Sequence, residues 1–328
     1  MKPSARYLAA ICCFLLGTQG LHAQTGTTGY DFLRIPSSAH AAATGGNTVS
    51  LIEDDASLLL INPALLSNVS DQTLTLQAMS YMSDSWLLGA SFVKMSGERG
   101  TWAVAAHMLT YGSMTETTAD FQETGSFGAS DLCLQGGYTY LLTDYWSGGV
   151  QGKVLMSNYG DYSSVGLCVD LGLNYYDEDH GFSFSLVAQN LGGEVDALYE
   201  ESRKLPFNLC MGVSYELANA PLRLSLTIDD LTHWNESYYS VNGEDLSSSE
   251  RLTNHISLGA DIFLSSNFWI GLGYNFRRAY EMKVQDSSHW AGFSLGAGLS
   301  VKRFSIALAY AKYHVASSSF MANAAYCF

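Results

Sequence analysis

Leu222-Arg223-Leu224-Ser225-Leu226-Thr227-Ile228-Asp229 is the stretch on which the fold turns. Its leucines and isoleucine take the even positions, and arginine, serine, threonine and aspartate take the odd ones. A period of two sends alternate side chains to opposite faces of a strand, so one face is apolar and the other polar. The pattern recurs along the chain. Val165, Leu167, Val169, Leu171, Leu173 and Tyr175 alternate with Gly166, Cys168, Asp170, Gly172 and Asn174. Phe207, Leu209, Met211 and Val213 alternate with Asn208, Cys210 and Gly212, and Phe293, Leu295, Ala297 and Leu299 with Ser294, Gly296 and Gly298.

A soluble sandwich alternates too, but its outward face carries Lys, Glu, Arg and Asp. Here the polar face is mostly Gly, Ser, Thr, Asn and Gln with isolated charges, which suits the crowded interior of a membrane barrel. Composition agrees. Charged residues make up 14% of the chain, well below the roughly 25% usual in soluble domains. No run of about 18 apolar residues follows the N-terminus, so spanning helices are not predicted. A closed barrel is then the way to satisfy the backbone in lipid.

The predicted fold is all-β, an antiparallel transmembrane outer-membrane barrel of fourteen strands with an N-terminal plug. Strands are predicted over 72–81, 86–95, 100–111, 129–142, 145–157, 163–176, 182–190, 206–217, 222–230, 252–263, 267–277, 291–301, 303–312 and 318–328. An even count lets both barrel ends lie on one side, expected to be periplasmic. Turns near Gly97, Thr143, Asp179, Ala220, Ser265 and Lys302 are short. The connections 113–128, 191–205, 231–251 and 278–290 are long, while 82–85, 158–162 and 313–317 depart from that rule. Trp86, Trp102, Tyr111, Tyr140, Tyr145, Trp269 and Trp290, near strand ends, are candidate interfacial girdles. The last strand carries Phe320, Tyr326 and Phe328 on one face; a terminal aromatic there resembles the signal read by the barrel-assembly machinery of Gram-negative bacteria.

Residues 1–23 read as a cleaved signal peptide. Lys2 and Arg6 precede an apolar run from Leu8 to Gly17, and Leu21-His22-Ala23 ends in a small residue. Cleavage would move the net charge from −15 to −17, a balance that repels nucleic acid. Residues 24–71 do not alternate and are too apolar for a disordered tail; they are expected to fill the lumen, with 72–328 as the barrel. Small residues on the inner face leave room for them.

Cys133, Cys168, Cys210 and Cys327 lie far apart inside alternating strands and read as free apolar residues rather than a disulfide framework. No cysteine or histidine spacing suggests a metal, and no motif suggests a cofactor or a hydrolase. Asp229-Asp230 near His233, and Asp286 near His289, read as solvated charges at loop edges rather than catalytic pairs. Asp131, Asp170, Glu216, Asp229 and Asp261 fall on the lumen phase, where they should pair with Arg or Lys or hydrogen-bond the plug.

Within the plug, Asn62-Pro63-Ala64 follows the acidic pair Asp54-Asp55. Pro63 favours a helical start, and Asn62 can cap it or contact a ligand. On these residues the chain resembles the long-chain fatty-acid transporter superfamily of outer-membrane barrels. Tyr30-Asp31-Phe32-Leu33-Arg34-Ile35-Pro36, Ser38-Ala39-His40 and Gly45-Gly46 look more narrowly like the PorV/PorQ branch, in the type IX secretion system of Bacteroidetes. His40 stands where that motif is expected to carry Arg.

The resemblance implies a non-enzymatic barrel with an N-terminal hatch. It implies a surface partner of the PorZ kind, with PorU and PorV in the same complex and attachment of cargo to lipopolysaccharide. The alternative it implies is transport of long-chain fatty acids or other hydrophobic small molecules. Superfamily transporters release ligand sideways through a kink in the third strand; Thr101 to Thr110 contains neither Gly nor Pro to cause one.

Overall fold

The computed structural model describes residues 29–82, 84–117, 120, 122–196, 203–234, 247–281, 291–314 and 317–328. The expected signal peptide, Trp290, Asp286 and His289 lie outside them. Fourteen antiparallel strands close into one barrel. They are β1 (Thr73–Ser80), β2 (Trp86–Ser96), β3 (Gly100–Thr117), β4 (Glu123–Leu141), β5 (Trp146–Tyr159), β6 (Tyr162–Asp177) and β7 (Phe182–Asp196). Then follow β8 (Asn208–Glu216), β9 (Leu222–Ile228), β10 (Ile256–Ser265), β11 (Phe268–Asn275), β12 (Phe293–Val301), β13 (Phe304–His314) and β14 (Ser317–Cys327). Every strand pairs with its sequence neighbours, and β1 closes the ring on β14 from Thr73↔Cys327 to Ser80↔Phe320.

The two faces are those the alternation predicts. On β9, Leu224 and Leu226 are exposed on the outer wall, whereas Arg223, Ser225 and Thr227 are buried inside. The outer face continues through Leu76, Leu88, Val104, Leu134, Val150, Leu258, Leu272, Leu295 and Leu308, all exposed. Such an apolar surface is stable in hydrocarbon and costly in water. Phe320, Tyr326 and Phe328 are exposed on the same face.

Three departures have clear causes. First, most of the predicted connection 113–128 is strand: past a register shift between Thr110 and Ser113, β3 and β4 continue as a hairpin, Ser113↔Gly128 to Thr117↔Glu123, beyond their other neighbours. β2 stops pairing with β3 at Thr110, and β5 stops pairing with β4 at Ala129. With no lipid or lumen to face, this segment needs no two-faced alternation. Second, Trp269 is not a girdle residue. It shares the inward phase of Gly271 and Gly273 and stacks on His40. Tyr111 likewise turns inward and donates its hydroxyl to Asp131 at 2.6 Å. Third, among the described residues Asp131 meets neither a cation nor the N-terminal segment. Tyr111, Ser157 and Tyr159 hydroxyls satisfy it instead. The other inward acids behave as charge pairing requires: Asp170 pairs with Lys153 at 2.6 Å, Asp261 with Arg223 at 2.9 Å, and Glu216 with Arg223 at 3.6 Å. Asp229, just past β9, accepts from the amide of Asn47 at 2.8 Å.

The N-terminal segment packs against the inner wall. It holds one short helix, α1 (Ala39–Ala43), and 3-10 turns at Asp31–Arg34, Ala56–Leu60 and Pro63–Asn68. Leu51, Leu58, Leu59, Leu65 and Leu66 are fully buried, forming an apolar core inside a polar-walled barrel. Two further helices, α2 (Ser248–Thr253) and α3 (Phe276–Glu281), lie in connections between strands.

Candidate functional site

The seat of α1 is cut by glycines. Ser38 caps the helix by accepting from the Ala41 amide. Gly45 and Gly46 end it at φ values of 107° and 118°, a conformation open to glycine. α1 packs on β11, β12 and β13. A Cβ added at Gly296 would lie 2.6 Å from the Ala43 Cβ, and one at Gly273 would lie 2.5 Å from the Thr44 carbonyl carbon. The alanines of α1 and the glycines of the wall are thus one packing solution, in which backbone approaches backbone.

The same helix carries the charged fastening. His40 Nδ1 lies 2.7 Å from Glu53 of its own segment, and Nε2 lies 3.0 Å from Asp261 on β10. Arg223 on β9 donates to Asp261 at 2.9 Å and to the Ile52 carbonyl at 3.1 Å. Trp269 covers the imidazole, with ring centroids 3.6 Å apart. Burial opposes charge on His40, but the carboxylates of Glu53 and Asp261 outweigh it and raise the imidazole above its ordinary 6.5. A folded-state value above the unfolded one stabilises most below about pH 6.5, and that stability fades as pH rises through the raised value. Urea unfolding of the detergent-solubilised barrel should therefore weaken from acid to mildly alkaline pH. His40→Gln should flatten that dependence; an unchanged slope in the variant would assign it elsewhere.

Asn62-Pro63-Ala64 occupies a second glycine-lined seat. Asn62 accepts from the Ala64 amide at 3.0 Å and donates to the Val49 carbonyl at 3.0 Å. It is fully buried, so its amide caps the Pro63–Asn68 turn and ties two parts of the segment together. Thr139 and Ser147 donate to the Pro63 and Ala64 carbonyls. At Gly149 a Cβ would sit 2.5 Å from the Ala64 nitrogen. Asn62→Ala removes the cap and strands the Val49 carbonyl, for an expected loss of about 1–2 kcal/mol in the same unfolding assay. Asp54 accepts from the Ser70 amide at 2.7 Å, and Asp55 accepts from Ser57 at 2.7 Å and from Asn323 on β14 at 3.1 Å. The acidic pair thus orders the return of the chain into β1.

Among the described residues, separate cavities flank the segment at its two ends. The larger, about 350 Å³, lies at the loop end among Leu33, Ile35, Ile61, Phe207, Arg278 and Tyr313. The smaller, about 150 Å³, lies at the turn end beside His40, Glu53, Asp54, Arg223 and Trp269. They share no lining residue, and the N-terminal segment contributes to both.

Asp230 is buried rather than solvated, and it pairs with His233 and, at 3.2 Å, with Arg277. Cys133, Cys168, Cys210 and Cys327 are free, the first three buried on the inner side. The His40–Asp261–Arg223 cluster was not assembled from sequence. Its members are 221 and 38 positions apart in sequence, and the available signal was a charge on an otherwise small-residue lumen phase.

No family model matches the chain, and no curated protein does. Solved structures do. The Ralstonia pickettii toluene transporter TbuX superposes with a TM-score of 0.56 at 12% identity, covering 90% of this chain and 98% of that one. A Pseudomonas aeruginosa FadL homologue gives 0.55 at 12%, over 92% and 98%. The Pseudomonas putida toluene transporter TodX gives 0.53 at 13%, over 89% and 97%. At such identities the likeness is one of fold: a closed fourteen-stranded barrel of the outer-membrane type, shared with transporters.

Proposed function

We propose that this barrel carries small molecules across the outer membrane, with residues 29–71 as a gate. The observation that carries the reading is that, among the described residues, separate cavities lie toward the two ends of the barrel and the N-terminal segment lines both. The short turns and both barrel termini are taken as periplasmic, which puts the larger cavity outside. Hydrophobic compounds are the class to test first. The resemblance implies long-chain fatty acids, and two structures of the same fold are toluene transporters. The test is entry of labelled palmitate and toluene into vesicles carrying the reconstituted barrel. Uptake above protein-free vesicles is expected for at least one; rates equal to protein-free vesicles for both would overturn the reading.

A second reading is a type IX secretion component of the PorV/PorQ kind that anchors a PorZ-like surface protein, with PorU and PorV, near lipopolysaccharide. Two observations favour it. The β3–β4 hairpin extends past its neighbours with Met114 and Phe127 exposed, a surface on which a protein partner could rest. From Gly100 to Thr110 the third strand also pairs with β2 and β4 without interruption, its register shift against β4 coming only beyond, between Thr110 and Ser113. Recovery of those partners with the barrel from mild detergent would favour this reading, and recovery of a lone barrel with bound lipid would count against it. In either case Tyr326 and Phe328 are proposed to be read by the barrel-assembly machinery.

A further inference from the structure

The β3–β4 hairpin is built like part of a sheet that lacks its next strand. Beyond Thr110 it runs as a two-stranded ribbon, and residues 113–117 and 122–128 are all exposed. Among the described residues no third strand pairs with this ribbon. On one side β2 reaches only as far as Thr110. On the other, β5 pairs with β4 up to Ala129, and one further backbone bond runs from the Gly160 amide to the Gly128 carbonyl at 3.2 Å. Two strands alone in water are marginally stable, and a bare edge is a template for another strand.

The side chains narrow the kind of strand. Met114 and Phe127 stand directly opposite each other in the register, and both are exposed, so the ribbon carries an apolar spot for an incoming side chain. The charge around that spot has one sign. Glu116 and Glu123 on the ribbon, Asp120 beside them, Asp84 between β1 and β2, and Asp161 between β5 and β6 are all exposed. A Cβ added at Gly112 would lie 3.1 Å from the Asp84 Cβ, which puts that carboxylate at the foot of the ribbon. No Lys or Arg occurs between Gly100 and Gly152 or between Val154 and Ser202, and Lys153 is buried in the lumen on Asp170. Such a field draws a basic partner and repels both the phosphates of lipopolysaccharide and the same ribbon on a second copy.

We propose that the edge of β4 from Glu123 to Phe127 receives a strand of a partner protein in which Lys or Arg alternates with apolar residues. The added strand takes up the ladder where β5 leaves it. Main-chain hydrogen bonds hold it, Met114 and Phe127 receive its apolar side chains, and the carboxylates select its charge. The inference rests on the second reading, in which a surface protein is anchored here, and adds to it the docking edge and the chemistry of the partner. It is independent of whether the lumen conducts.

Synthetic strands make the test. Labelled peptides of Lys-Val repeats, of Glu-Val repeats, and of Lys-Val repeats interrupted by proline at unchanged charge are titrated against the full-length barrel in zwitterionic detergent, with fluorescence anisotropy as the readout. The Lys-Val peptide is expected to bind at least about ten-fold more tightly than either of the others, since one lacks the charge and the other cannot extend a ladder. It should also slow hydrogen exchange at Glu123–Phe127. Glu116→Lys combined with Glu123→Lys should abolish the preference for Lys-Val over Glu-Val, and Phe127→Ser should weaken the Lys-Val peptide while keeping that preference. Heat-modifiable gel mobility confirms that each variant is folded. Equal binding of the proline peptide, a preference indifferent to the charge reversal, or protection outside the ribbon would overturn the assignment. So would protection of the ribbon by lipopolysaccharide micelles or by self-association in place of the peptide. If the surface partners are still recovered with the barrel in that case, the secretion reading stands and only the docking edge falls.

Discussion

Asp261→Ala is expected to destabilise the assembled barrel by about 3–5 kcal/mol, the usual consequence of removing one partner from a buried ion pair. Asp261 is 1% exposed at its side chain and serves two cations, His40 of the N-terminal segment and Arg223 of the wall. Without it, Arg223 keeps the Ile52 carbonyl and a longer contact to Glu216, whose side chain is 51% exposed. Neither replaces a buried carboxylate, so a desolvated charge is left without its counterion. Asp261→Asn keeps the shape and part of the hydrogen bonding and should cost less. Urea titration in detergent micelles measures both. A loss within about 0.5 kcal/mol for the alanine variant would mean the cluster contributes no more than an exposed pair does.

Gly273→Val is the second large effect, and it acts through volume rather than charge. Its Cβ would stand 2.5 Å from the Thr44 carbonyl carbon, where the obstacle is backbone that no rotamer change can move. Overpacking of this kind costs about 1–3 kcal/mol or more, and here the cheapest relief is displacement of α1 from the wall. Gly152 provides the control. It lies on the outer face of β5 with nothing within 4 Å of an added Cβ, so Gly152→Ala should leave stability unchanged. Proteolysis from the turn end reads displacement directly: the segment should become cleavable in Gly273→Val and stay protected in Gly152→Ala. Equal protection in both would show that the glycines of β11 and β12 are not what admits the helix.

The barrel was legible in the sequence because a lipid-spanning strand has two obligatory faces. Leu224 and Arg223 can be assigned to oil and lumen from their neighbours alone. Where that obligation ends, so does legibility. The stretches 113–117 and 123–128 alternate nothing, since above the rim they face neither lipid nor lumen, and only the structure reveals them as paired strands. Trp269 was misplaced because aromatic residues near strand ends suggest a girdle, while its phase, shared with Gly271 and Gly273, points inside. The seat of the N-terminal segment was half visible. Small residues on the inner face implied space, and Asn62 before Pro63 implied a cap. That His40 would meet Asp261 could not be read, because register across ten strands, not local pattern, sets that contact.

The arrangement of the N-terminal segment inside the wall is most directly tested by a single cross-link. Ser50 and Ser214 face each other with their hydroxyl oxygens 2.8 Å apart, one on the segment and one on β8. In a background with Cys133, Cys168, Cys210 and Cys327 replaced by alanine, Ser50→Cys combined with Ser214→Cys should form a disulfide on mild oxidation, seen by mass spectrometry of the digested protein. Near-complete linkage in a barrel of normal heat-modifiable mobility is the predicted result. Two free thiols, both open to a water-soluble maleimide in the folded barrel, would place the segment elsewhere and contradict the account.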